Sequence, residues 1–180
     1  PLIHRTRRTV LDLHHTILPE SGRLHPPPER LFAAARPAPG CSLLMLAPAD
    51  MVLHSAAHLF QDGDLAGGLR DLTDLDDLFR HFGYEETFWE QLVPRAVQID
   101  LARPLHYALR YCSRLLCTPI PAEVLTAAES AAPGPIRQAL MDWLVSRAVR
   151  PAHPDHPRRL DGAARWFLYV RSHWLRMPPR

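Results

Sequence analysis

With 180 residues, the chain is long enough for one domain with a sizeable core. Hydrophobic residues make up 47% and charged residues 22%, which is ordinary globular usage and excludes a wholly disordered chain. Neither Lys nor Asn occurs, so a P-loop and Lys Schiff-base chemistry are excluded, and a net charge of +2 argues against a dedicated DNA-binding module.

Three cysteines, Cys41, Cys112 and Cys117, form no CxxC pair. They read as reduced cytoplasmic thiols rather than a disulfide framework or a zinc knuckle. No apolar run reaches the roughly 18 residues of a membrane span. The chain begins at Pro1 without Met, as a processed or shortened chain would, and no signal peptide is visible. The Arg, Ala and Pro bias fits a GC-rich bacterial genome.

Residues 1–18 read as a β element. Val10, Asp12, His14 and Thr16 alternate with Leu11, Leu13, His15 and Ile17, the period of a strand, and Ile3 to Arg5 supply a partner arm turning near Arg7. Residues 19–47 are a Pro/Gly-rich connector with a short helix near Glu29 to Ala35. Residues 48–180 are helical almost throughout, with helices expected at 48–61, 68–82, 85–99, 104–117, 121–131, 135–149 and 161–176. Pro48, Pro104, Pro121 and Pro135 mark first turns, where the missing N–H costs nothing. Pro94 is expected to kink or split its helix, and Gly83 to stop the one before it. The fold class is therefore mainly α, a helical bundle with a small N-terminal β-hairpin or strand.

Four elements carry candidate chemistry. On a strand, Asp12 and His14 share one face, suited to a divalent metal or a phosphate, or simply an edge facing water. Asp50, His54, His58 and Asp62 form a ridge at four-residue spacing, either a metal-binding pair of histidines with its acids or a polar face with Asp50 favouring the helix dipole. In the next helix Asp71 falls inside the apolar arc of Leu72, Leu75, Leu78, Phe79 and Phe82. It should therefore have a partner, with His58, His54 or a nearby Arg the obvious choice. Asp74, Asp76 and Asp77 read as solvated surface. In the last helix Trp166, Phe167, Val170 and Trp174 gather on one side, with Arg165 and Arg176 opposite. That pattern suits a core-packing face or a membrane-interface helix.

Taken in order, Val10-Leu11-Asp12-Leu13-His14-His15, Leu46 to His54 with His58, Arg70-Asp71-Leu72-Thr73-Asp74-Leu75, and Arg171 to Pro178 resemble a family of bacterial proteins grouped as uncharacterised nucleotidyltransferases, of the polymerase-beta-like fold. The resemblance implies transfer of a nucleotidyl group from an NTP to an acceptor with Mg²⁺. By position it implies that Asp12 is the catalytic, metal-binding third carboxylate. His14, His58, Arg70 and Asp71 then line the substrate side. The upstream Gly-Ser loop and DxD pair of such proteins are not found before Asp12. One carboxylate cannot build a two-metal site, so these 180 residues are expected to be inactive alone. No specific nucleic-acid binding is expected, and the exposed sheet edge allows a homo-oligomer. The alternatives are a helical metal-binding protein using His54, His58 and Asp71, or a non-catalytic module meeting a partner or a membrane surface.

Overall fold

The computed structural model describes residues 2–11, 16–62, 65, 68–151 and 159–177, with the backbone alone at 2, 11, 62 and 159. Among the described residues the helices are α1 (Pro28–Ala34), α2 (Pro48–Ala57), α3 (Gly68–Phe82), α4 (Glu86–Gln98), α5 (Ala102–Leu116), α6 (Ala122–Ala128), α7 (Pro135–Ala148) and α8 (Arg159–Arg176). The fold is mainly α with small β-hairpins, as the sequence indicates. Pro48 and Pro135 do open α2 and α7, their fixed φ suiting a first helical residue. One core joins the elements: Val52 and Leu53 of α2, Leu72, Leu75 and Phe79 of α3, Leu92 of α4, and Leu105 and Leu109 of α5 are all sealed from solvent. Each such side chain contributes about 1.5–3 kcal/mol by leaving water.

Pro94 does not split its helix, because α4 runs unbroken from Glu86 to Gln98. Pro94 sits on the exposed face, where the carbonyl it leaves unmatched can turn to water. Gly83 does follow the last residue of α3, but it is not needed for a left-handed stop. A Cβ there would clash with the Phe79 carbonyl oxygen and lie 2.7 Å from the Trp89 ring, so glycine is needed for close approach.

The expected hairpin exists in a short form. β1 (Leu2–Ile3) pairs antiparallel with β2 (Val10–Leu11), Leu2 opposite Leu11 and Ile3 opposite Val10. His4 Nδ1 accepts from the Thr6 and Arg7 backbone N–H groups, and Arg8 turns at φ 57. Residues 16–18 are bends, so the strand does not continue to Ile17. A second hairpin, not anticipated, pairs β3 (Arg36–Pro37) with β4 (Leu44–Met45) across a turn at Gly40, φ 74.

The last helix packs the opposite way from the packing reading. Its buried stripe is Asp161, Ala164, Leu168 and Ser172, and these face inward where α8 meets α7. Trp166, Phe167, Val170 and Trp174 stay outside, at 59%, 52%, 42% and 52% exposure. Arg165, expected on the wet side, donates to the Ala148 and Arg150 carbonyls at 3.0 and 2.6 Å. Small residues let the two backbones approach, and the arginine satisfies carbonyls that the end of α7 leaves without helical partners.

Candidate functional site

The site is built on the two ends of α2. At the first turn Asp50 is fully buried and accepts from Arg95 of α4, Nε to Oδ1 at 2.7 Å and Nη2 to Oδ2 at 2.8 Å. Arg95 also donates to Gln98 Oε1 and to the Arg30 carbonyl. A two-point fork of this kind is a strong, directional tie. Asp50 therefore clamps α2 to α4 and leaves the candidate ridge, contrary to both readings of it as an exposed polar face or a ligand set.

At the far end the backbone widens. Residues His58–Asp62 form a π-helical segment continuing α2. Its i→i+5 bonding breaks the four-residue register, so the ridge ends at His58. His54 and His58 remain together, their rings edge to face with centroids 4.5 Å apart. Both line an apolar cleft of ≈ 440 Å³ whose wall includes Ile17, Leu31, Phe32, Leu44 and Leu46. Thr16 and Ile17 belong to this wall and are the first described residues after the Asp12–His15 segment. Asp12 and His14 themselves lie outside the described residues, as does the side chain of Asp62.

On α3, Asp71 is half-buried and has no hydrogen bond among the described residues, so the expected tie is not made. Burial pushes its carboxyl above the usual carboxylate range, Asp74 one turn on adds to this, and the charges of Arg70 and His58 oppose it. His58 and Asp71 are thus electrostatically coupled without a direct bond. Arg70 is exposed and joins no ion pair among the described residues. Asp76, read as solvated, is instead a structural acceptor for Arg80 at 2.9 Å and for Thr118 Oγ1 at 2.6 Å. Burial pushes its carboxyl upward, yet these hydrogen bonds outweigh it and hold the pKa below the ordinary value.

No group of three His, Cys, Asp or Glu among the described residues is placed to hold a metal ion. The donors in place do not fit the metal alternative of His54, His58 and Asp71. All three cysteines are free thiols, and burial pushes that of Cys112 up to about 12.

Residues 2–117 match the family model described as uncharacterised nucleotidyltransferase. The chain belongs to that family. No curated protein and no solved structure matches it. In this nucleotidyltransferase-family chain the matched stretch runs from β1 through α5 and holds every candidate site residue. The Arg171 to Pro178 motif lies beyond it.

Sequence reasoning missed one polar centre. Asp142 of α7 accepts from Arg110 at 2.9 and 2.6 Å, from Arg114 at 2.9 Å and from Gln138 at 2.9 Å, and Gln138 Oε1 lies 2.8 Å from Nε2 of buried His106. The Arg110 hydrogen bond, reinforced by Gln138 and Arg114, holds the Asp142 carboxyl far below the usual range. Arg110 and Arg114 at four-residue spacing were the only local hint, and their partner is 28 or more positions away.

Proposed function

We propose that this chain supplies the acceptor side of a nucleotidyltransferase that moves a nucleotidyl group from an NTP to an acceptor, with Mg²⁺. The observation that carries the reading is the family match over residues 2–117, joined to a cleft in that stretch with two histidines on its wall. Asp12 is assigned to the metal, as the resemblance implies. Mg²⁺ would neutralise phosphate charge there, together with carboxylates from outside these 180 residues. Alone, the 180 residues are expected to be inactive.

His14, His58, Arg70 and Asp71 are assigned to the substrate. Arg70, exposed and without an ion pair among the described residues, is suited to phosphate oxygens. In transfer, the acceptor oxygen attacks the α-phosphorus and pyrophosphate leaves with the electrons of the broken P–O bond. His58, exposed at the cleft, takes the acceptor proton, and the carboxylate of Asp71 stabilises the resulting cation. The apolar cleft favours an acceptor with an apolar body. Bacterial origin, a polymerase-beta-like fold and a cytoplasmic setting belong to the same proposal.

A second reading, a non-catalytic module meeting a partner or a membrane surface, is favoured by one observation. Trp166, Phe167 and Trp174 are all more than half exposed. Calorimetry of NTP and Mg²⁺ binding separates the two, run on this chain and on a version carrying upstream sequence. Binding by the longer version alone is the expected result. Binding by neither removes the catalytic reading and leaves the second.

A further inference from the structure

Two cavities share a wall where α5, α7 and α8 meet. The first, of ≈ 640 Å³, is apolar, and Leu140, Trp143, Phe167, Val170 and Trp174 rim it, each 39–55% exposed. The second, of ≈ 410 Å³, carries Arg23, Arg103 and Arg171 against a single carboxylate, Asp100. Arg103, Arg171 and Leu175 line both.

Among the described residues no carboxylate pairs with the cations of this wall, Arg23, Arg103 and Arg171. Asp100 accepts instead from the His25 backbone N–H at 3.4 Å. The Arg23 guanidinium carbon lies over the Trp174 ring, 3.7 Å from its centroid. Arg171 donates Nη1 to the Phe60 carbonyl at 2.7 Å and sits 5.6 Å over the Tyr107 ring, which leaves most of its five donors for other partners. Burial pulls its proton affinity below the ordinary arginine value; Tyr107 and then Tyr111 oppose this, and the charge of Arg103 adds a smaller push downward. Gln61, only 6% exposed, lines the same cavity, and its side chain makes no hydrogen bond among the described residues.

A guanidinium drawn out of water without a counter-charge is costly, and so is an open trough of tryptophan and leucine. A single molecule relieves both costs if it has an apolar chain and an oxyanion head. The trough falls within the roughly 300–1,000 Å³ of small-molecule sites. We propose that this wall binds one soluble amphiphile, its chain in the apolar trough and its phosphate or carboxylate head on Arg103 and Arg171. Most of the trough lies beyond residue 117, whereas Arg103 and most of the second cavity fall within the matched stretch; none of these residues lines the cleft of His54 and His58.

The test is calorimetry with tryptophan fluorescence, using decyl phosphate and decanoate below their micelle concentrations, with decanol and inorganic phosphate as controls. Saturable one-to-one binding of at least one anionic probe is expected, about tenfold or more tighter than decanol, since a charge-assisted hydrogen bond to Arg supplies that much. The tighter of the two probes identifies the head. Arg103→Gln, at an exposed position, should weaken that probe about tenfold with little change for decanol. Val170→Glu should weaken all three chain-bearing probes. Equal affinity for decanol and both anions would overturn the proposal, as would an Arg103→Gln variant that binds like the wild type. Association with anionic phospholipid vesicles but not with either monomeric probe would overturn it in favour of a membrane-facing surface.

Discussion

At the first turn of α2, Asp50 is sealed from solvent and met by two Arg95 N–H groups. At its far end, His54 and, one turn on in the π segment, His58 meet edge to face at a cleft, and the carboxylate coupled to His58 has no hydrogen bond among the described residues. The same helix and its π continuation thus carry a closed polar site and an open one, Asp50 and His58 being eight positions apart. A closed site spends its hydrogen-bonding capacity on the fold. An open one keeps capacity for a ligand, at a cost to stability.

The comparison can be broken most forcefully at the closed end. Asp50→Ala removes the sealed anion and leaves the part-buried Arg95 without its partner, and should lower stability by about 3–5 kcal/mol, read from urea midpoints. A loss below about 1 kcal/mol would mean the clamp is not the tie described. A smaller loss, about 1–3 kcal/mol, is expected for Asp142→Ala, whose partners are part-exposed. The sign of its pH dependence follows from its lowered pKa. The stabilisation is present above the unfolded value near 3.8 and is lost as pH falls through the folded value. Variant and wild type should therefore converge in strong acid.

The open end should respond in the opposite direction. The Asp71 pKa is raised, so its ionised form destabilises the fold at neutral pH, and that penalty disappears below the unfolded value. Asp71→Asn should raise the melting temperature slightly at pH 7 and leave it unchanged near pH 3. A lower melting temperature at pH 7 would show that Asp71 is a structural tie after all.

The difference between the two ends also marks what the sequence can disclose. The period of α3 is legible, and Gly68–Phe82 has the expected bounds, because an amphipathic stripe is a local property. Asp50 looked like an ordinary acid near a helix start, since Arg95 is 45 positions away and no local pattern joins them. The π segment at His58 has no recognisable period, so the ridge through Asp62 looked continuous. Two-residue strands such as Arg36–Pro37 are too short for alternation to register. In α8 the large aromatics dominate the pattern, yet Ala164 and Ser172 decide the packing because small side chains permit close approach. His54 and His58 were legible as a pair. Whether Asp12 and His14 join them lies outside the described residues.

One titration addresses the open site without knowledge of the substrate. The Asp71 carboxyl carbon would be followed by NMR across the acidic range in the wild type and in His58→Gln. Asp71 should titrate above the ordinary carboxylate value, and higher still in His58→Gln, where the cation that opposes the shift is gone. An Asp71 that titrates at or below the ordinary value, or that ignores the loss of His58, would contradict an open, coupled site at this end of α2.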